Sequence, residues 1–147
     1  MNRYKILPRT ADEGILAYGR SRAELLENAA YGMFDLMFEL AGLEPTRFFP
    51  VEADGDTFEE LVVDWLSKLL AVAEIQGLVF STFEIEYLEA PVLPGPEQPH
   101  HRLKGRAGGV ELVKAVQKGQ PIKAVTYHHL EIVKKGGRYQ ATIFFDV

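Results

Sequence analysis

Apolar positions repeat along this chain with two periods, a helical one in the first half and a strand-like one in the second. Leu26, Ala29, Ala30, Met33, Met37 and Leu40 fall on one face of a 3.6-residue helix, widened by Phe34 and Phe38. Glu24, Glu27, Asn28, Asp35 and Glu39 fall mostly on the other side. Ser21 and Glu24 stand at the spacing of a capping box, in which hydroxyl and carboxylate each satisfy an amide that the first turn leaves unpaired. Gly42 and Pro45 predict where this helix ends. A second helix is predicted to start at Asp56, with Glu59 completing its box. Phe58, Leu61, Val62, Trp65, Leu66, Leu69 and Val72 or Ala73 form its inward face, and Gly77 is its stop.

The remaining segments read as strands. Positions 4–7 form a short one, halted at Pro8, and 15–18 a second one closed by Gly19. Between them, 10–14 reads as a turn or loop. The run 47–53 contains Pro50 and predicts an edge strand, because proline cannot donate to a ladder. From Leu78 onward aromatic and β-branched residues dominate. Strands are expected over 78–90, 100–107, 121–133 and 139–147, with a proline-rich loop at 91–99 and a hairpin at Gly136-Gly137. The segment 110–118 fits a short helix or a strand equally well. In the last strand Tyr139, Ala141, Ile143 and Phe145 share one face, and Gln140, Thr142, Phe144 and Asp146 the other. The order predicts an α+β fold: one domain over 1–147, a mostly antiparallel sheet and two amphipathic helices packed on it.

Composition narrows the function classes. The 147 residues suit one core, and the absence of cysteine excludes disulfides, thiol catalysis and Cys-ligated zinc or iron–sulfur centres. A formal charge of −5 speaks against nucleic-acid binding through a wide basic face, but leaves a local basic patch open. The N-terminal segment has no basic start followed by an apolar run, and no stretch is long enough to span a membrane, so a soluble cytoplasmic protein is expected.

Few residues suggest chemistry. Asp12 stands in a tight turn, where an aspartate ordinarily bonds its own backbone. Asp146 ends an apolar strand beside the α-carboxylate of Val147, and two such charges repel unless a cation lies near. The carboxylates of Asp146 and Val147 suggest a site for a hard, oxygen-seeking cation. The pairs His100-His101 and His128-His129 lie on predicted strands, where neighbours point to opposite faces, so neither pair is expected to chelate one metal. Lys123, Thr126, Tyr127 and His128 cluster in one strand. Asp64, beside Glu60 and Lys68, has the spacing of a solvated helical ion pair. No Ser–His–Asp order, P-loop or dinucleotide fingerprint is present.

Six segments, in order, carry a resemblance: PRTADEGI at 8–15, NAAYGMF at 28–34, VDWLSKLL at 63–70, GLVFS at 77–81, KAVTYH at 123–128 and FDV at 145–147. Together they resemble the archease family over nearly the whole chain. The resemblance implies a small α+β protein that assists an RtcB-type RNA ligase in tRNA splicing and RNA repair. It would promote guanylylation of the ligase with GTP and manganese and allow multiple turnovers, without being an enzyme itself. It also implies a calcium site formed by Asp12, Asp146 and Val147, and places Asp64, Lys123 and His128 where the partner ligase would be met. No sequence-specific nucleic-acid binding and no membrane contact are expected, and a monomer or weak oligomer fits. An older description of the family implies the alternative, a chaperone-like modulator of an RNA methyltransferase. Two positions depart from the family pattern: Arg9 replaces the usual histidine before T-A-D, and a second family histidine is missing from 108–116. Arg9 would offer Asp12 an ion-pair partner in competition with a cation.

Overall fold

Two antiparallel sheets carry the strands. The computed structural model describes residues 2–8, 13–91 and 100–147, so Arg9, Asp12 and the proline-rich segment 92–99 lie outside the described residues. In chain order the elements are β1 (Tyr4–Leu7), β2 (Glu13–Gly19), α1 (Arg22–Met37), β3 (Arg47–Gly55), α2 (Phe58–Gln76), β4 (Leu78–Glu89), β5 (His101–Glu111), β6 (Ala124–Lys135) and β7 (Arg138–Asp146), with a 3-10 turn at Leu112–Lys114. One sheet has the order β1-β2-β7-β6 and the other β3-β5-β4. Both helices touch both sheets. The expected α+β fold with antiparallel strands and two packed helices is therefore present, its strands split between two sheets.

Each helix is started by a capping box. Ser21 Oγ accepts from the Glu24 amide at 3.1 Å, and Glu24 Oε1 returns a bond to the Arg20 amide at 2.9 Å. In α2 the box lies one residue later than predicted. Thr57 Oγ1 accepts from the Glu60 amide at 3.1 Å, and Glu60 Oε2 takes the Asp56 amide at 2.8 Å. Gly77 ends α2 in the left-handed conformation, as expected.

The C-terminus of α1 comes earlier than Gly42. Phe38 is already extended and bridges to Gln117. The amides of Lys118 and Gly119 take the Met37 carbonyl at 2.9 and 3.2 Å, and the Glu39 amide bonds the Val116 carbonyl at 2.9 Å. A distant segment thus satisfies groups that another helical turn would have satisfied, and it settles the ambiguous run after Val110 as strand end, 3-10 turn and extended chain.

The core fills from both helices. Trp65, Phe34, Phe80 and Phe145 are its largest fully buried side chains. Phe34 stands edge-on to Phe80 at 5.7 Å and tilted against Phe83 at 5.7 Å, joining α1 to the second sheet. The Trp65 indole N–H donates to the Leu26 carbonyl at 2.9 Å, joining α2 to α1. Gly136 and Gly137, at φ of 61° and 78°, make the two-residue turn between β6 and β7, a conformation glycine adopts without strain. Strand β3, with Pro50, pairs only with β5 and is the expected edge.

Candidate functional site

The chain end is built as an extension of the first sheet. In β7, Ala141, Ile143 and Phe145 are fully buried against the helices, so by alternation Asp146 turns to the other face and is exposed. Val147 is half-buried and packs on the core, which pins the residue beside Asp146. The Lys123 amide donates to the Asp146 carbonyl at 2.7 Å, and Ala124 pairs with Asp146 in register. Lys123, Asp146 and Val147 are thus brought together at one end of the sheet. On the other flank Glu13 pairs with Phe145. Asp12, which precedes Glu13 in the sequence, lies outside the described residues. Among those described, no three His, Asp or Glu side chains are placed to hold a metal ion. Asp146 and Val147 supply oxygen donors, the chemistry a hard cation takes.

Gly14 explains the glycine after the acidic turn. It pairs with Phe144, and a Cβ there would run into the Phe144 ring, which lies over Gly14 in the space a side chain would need. Phe144 lies on the same face as Asp146, two residues away.

The His128-His129 pair departs from the alternation expected of a strand. Between Thr126 and Glu131, β6 gains residues relative to β7, and His129 adopts φ 57°. In this bulge the His128 amide bonds Thr126 Oγ1 at 3.1 Å, and the two imidazoles come to 4.2 Å, edge to face. His129 also lies 6.0 Å from Phe144. A β-bulge re-aims side chains in this way, and no local pattern of the sequence marks one. The other pair obeys alternation: His101 is buried, while His100 is exposed and 3.3 Å from both Asp54 and Asp56.

Asp64 does not join the strand-end group. Its carboxylate accepts the Asp54 amide at 2.8 Å and meets Lys68 Nζ at 2.9 Å, tying α2 to the end of β3. It reaches β6 only through its field: burial, then Glu60 and Asp64, hold the Tyr127 phenol above its ordinary pKa.

The archease protein family matches residues 4–147 of this chain. The chain belongs to the archease family. Archeases from Sulfurisphaera tokodaii and Pyrococcus abyssi are 30% and 32% identical to it, each aligned over 100% of both chains. The solution structure of Methanobacterium thermoautotrophicum protein 1598 superposes with a TM-score of 0.79 at 27% identity, over 100% of both chains. The crystal structure of a Thermotoga maritima archease, described as a possible chaperone, shares the fold with a TM-score of 0.57 at 19% identity, over 97% and 96% of the two chains. These relatives are named as proteins or as a possible chaperone, without an enzymatic activity. Among the described residues, no helix of this archease is long and apolar enough to cross a membrane.

Proposed function

We propose that this archease activates an RtcB-type RNA ligase in the cytoplasm, as a protein cofactor and not an enzyme, through the acidic end of its first sheet. The observation that carries the proposal is the convergence of Lys123, Asp146 and Val147 at that end, next to the strand that follows Asp12. Asp12, Asp146 and Val147 would hold a calcium ion there. The ion would set the carboxylates in one arrangement, relieving their repulsion and presenting a shaped surface to the ligase. Lys123, exposed beside Asp146, would meet a phosphate or carboxylate of the partner. The exposed His128 on the β6 bulge would form the flank of the contact. Asp64 supports this surface indirectly, through its hold on β3 and its field at Tyr127.

The ligase must transfer a guanylyl group, a step whose phosphate charge has to be offset by metal ions and fixed cations. A docked protein helps such a step by positioning those charges. The test is RNA joining by the cognate ligase under multiple-turnover conditions. This archease should raise the yield per ligase above one, and Asp146→Ala should remove the gain while its melting temperature stays unchanged. Full gain with Asp146→Ala overturns the site. A second reading is a chaperone-like modulator of an RNA methyltransferase: the Thermotoga maritima relative is described as a possible chaperone, and the methyltransferase comes from the family resemblance alone. It predicts protection of that enzyme from aggregation, insensitive to Asp146.

A further inference from the structure

The end of the first sheet opposite Asp146 gathers cations from three stretches of the chain. Register places there the end of β2, the start of β7 and the end of β6: Gly19 pairs with Tyr139, Tyr139 with Lys134, and Arg138 with Lys135. The start of β1 joins them, since the Tyr18 amide bonds the Arg3 carbonyl at 3.0 Å. Arg3, Arg20, Arg22, Lys134, Lys135 and Arg138 therefore gather at one end of a chain whose net charge is −5. Ring contacts hold several in place. Arg138 lies 4.3 Å over Tyr18, and Lys134 and Arg22 stand 5.4 and 5.7 Å from the Tyr139 ring.

Glu24 and Glu27 offset part of the charge of Arg3 and Arg20, with which they line one pocket, whereas Lys134, Lys135 and Arg138 have no carboxylate in ion-pair contact among the described residues. Among the described residues, the one ion pair made by any of the six joins Arg20 to Glu24, and it is long, at 3.9 Å. Glu131, on β6, pairs in register with Thr142, away from the turn. Lys134, Lys135 and Arg20 are exposed. Neighbouring strands lie about 4.8 Å apart, so four strand ends spread these cations over about 14 Å. That width suits a polymer with a charge every few ångströms better than a single phosphate group. The turn Lys134-Lys135-Gly136-Gly137-Arg138 carries no apolar side chain to insert into a lipid surface or to anchor a protein interface.

We infer that this cationic end is a contact for the phosphate backbone of an RNA strand, read without regard to base sequence. The choice of RNA over DNA rests on the ligase reading above; the contact with a phosphate backbone does not. Along β7, eight residue steps of about 3.3 Å separate Arg138 from Asp146, so the RNA contact and the acidic site lie about 26 Å apart. One molecule can then touch RNA and ligase at opposite ends.

The test uses the archease alone, so that failure of the ligase reading cannot be mistaken for failure of this one. Fluorescence anisotropy with a labelled 20-nucleotide RNA is followed from 50 to 200 mM salt. Four exposed or half-exposed cations (Arg20, Lys134, Lys135 and Arg138) predict a slope of log K against log salt of about −3, at about −0.7 per single-strand contact. The double variant Lys134→Gln and Lys135→Gln should lower that slope by about 1.4 and weaken binding about 25-fold at 0.1 M salt. Lys104→Gln, on the second sheet, should change neither. A melting curve for each variant confirms that it is folded. Absence of RNA binding at 50 mM salt, or an unchanged slope in the double variant, overturns the inference. Retention of polyglutamate but not of RNA also overturns it, in favour of an acidic protein surface.

Discussion

Trp65 is the joint on which the two helices meet, and replacing it tests how the fold is held. The side chain is fully buried, its indole N–H donates to the Leu26 carbonyl at 2.9 Å, and its ring lies 3.0 Å from where a Cβ on Gly105 would stand. Trp65→Phe keeps an aromatic ring but removes the donor and one of the fused rings. The lost hydrogen bond is worth about 1 kcal/mol, since the Leu26 carbonyl belongs to a helix and keeps its helical partner. Loss of about 40 Å³ of side chain leaves a cavity that costs about 1 kcal/mol at 24 cal/mol per Å³, before the lost transfer energy. Together these give a destabilisation of about 2–3 kcal/mol. For a chain of this size that lowers the melting temperature by about 5–10 °C. Urea and thermal unfolding followed by far-UV circular dichroism measure it, because Trp65 is the only tryptophan and its fluorescence is lost in the variant. A loss below about 0.5 kcal/mol would mean that neither the bond nor the packing at this joint matters.

Three further predictions concern the elements around the site. Burial, opposed by the Ile85 N–H bond, holds the Glu27 carboxyl above its ordinary pKa, so the folded state keeps a proton longer than the unfolded one. Stability attributable to Glu27 must therefore fall as pH rises from about 4.5 through the folded pKa; Glu27→Gln should gain on the wild type between pH 4 and pH 7, and an equal difference at both pH values would contradict this. Asp64→Ala should cost about 1–2 kcal/mol in urea unfolding, because the Asp54 amide and Lys68 lose their acceptor, while Asp64→Asn recovers most of it. Equal losses for the two would show that the bond to Asp54 is immaterial. His129, at φ 57°, should tolerate glycine but lose about 1–2 kcal/mol on His129→Val, and equal stabilities of the two variants would contradict a left-handed backbone there.

Local chemistry made much of this fold legible. Ser21 with Glu24, the left-handed Gly77, the Gly136-Gly137 turn and the alternation from Tyr139 to Asp146 each act within a few residues, and each is found where the pattern predicts it. What the pattern missed is tertiary. The stop of α1 at Met37 depends on amides from Lys118 and Gly119, some eighty residues away. The division into two sheets depends on which edges close against which helix. The bulge that turns His128 and His129 towards each other depends on a mismatch between two strands, invisible in either alone. At the candidate site, the face that Asp146 shares with Phe144 followed from alternation, whereas the separate task of Asp64 did not, because its partner is a backbone amide on β3. The cationic end was readable only as a permitted local patch, since its six residues come from three separate stretches of sequence.

Whether the acidic strand end serves guanylyl transfer on a ligase is decided by single-turnover guanylylation. The cognate RtcB-type ligase is mixed with GTP and manganese, alone, with this archease, and with its Asp12→Ala and Asp146→Ala variants, each shown to melt as the wild type does. Guanylylation should be faster with the wild type, and both variants should lose that acceleration. Guanylylation equally fast with and without the archease, or acceleration that survives both substitutions, would contradict it.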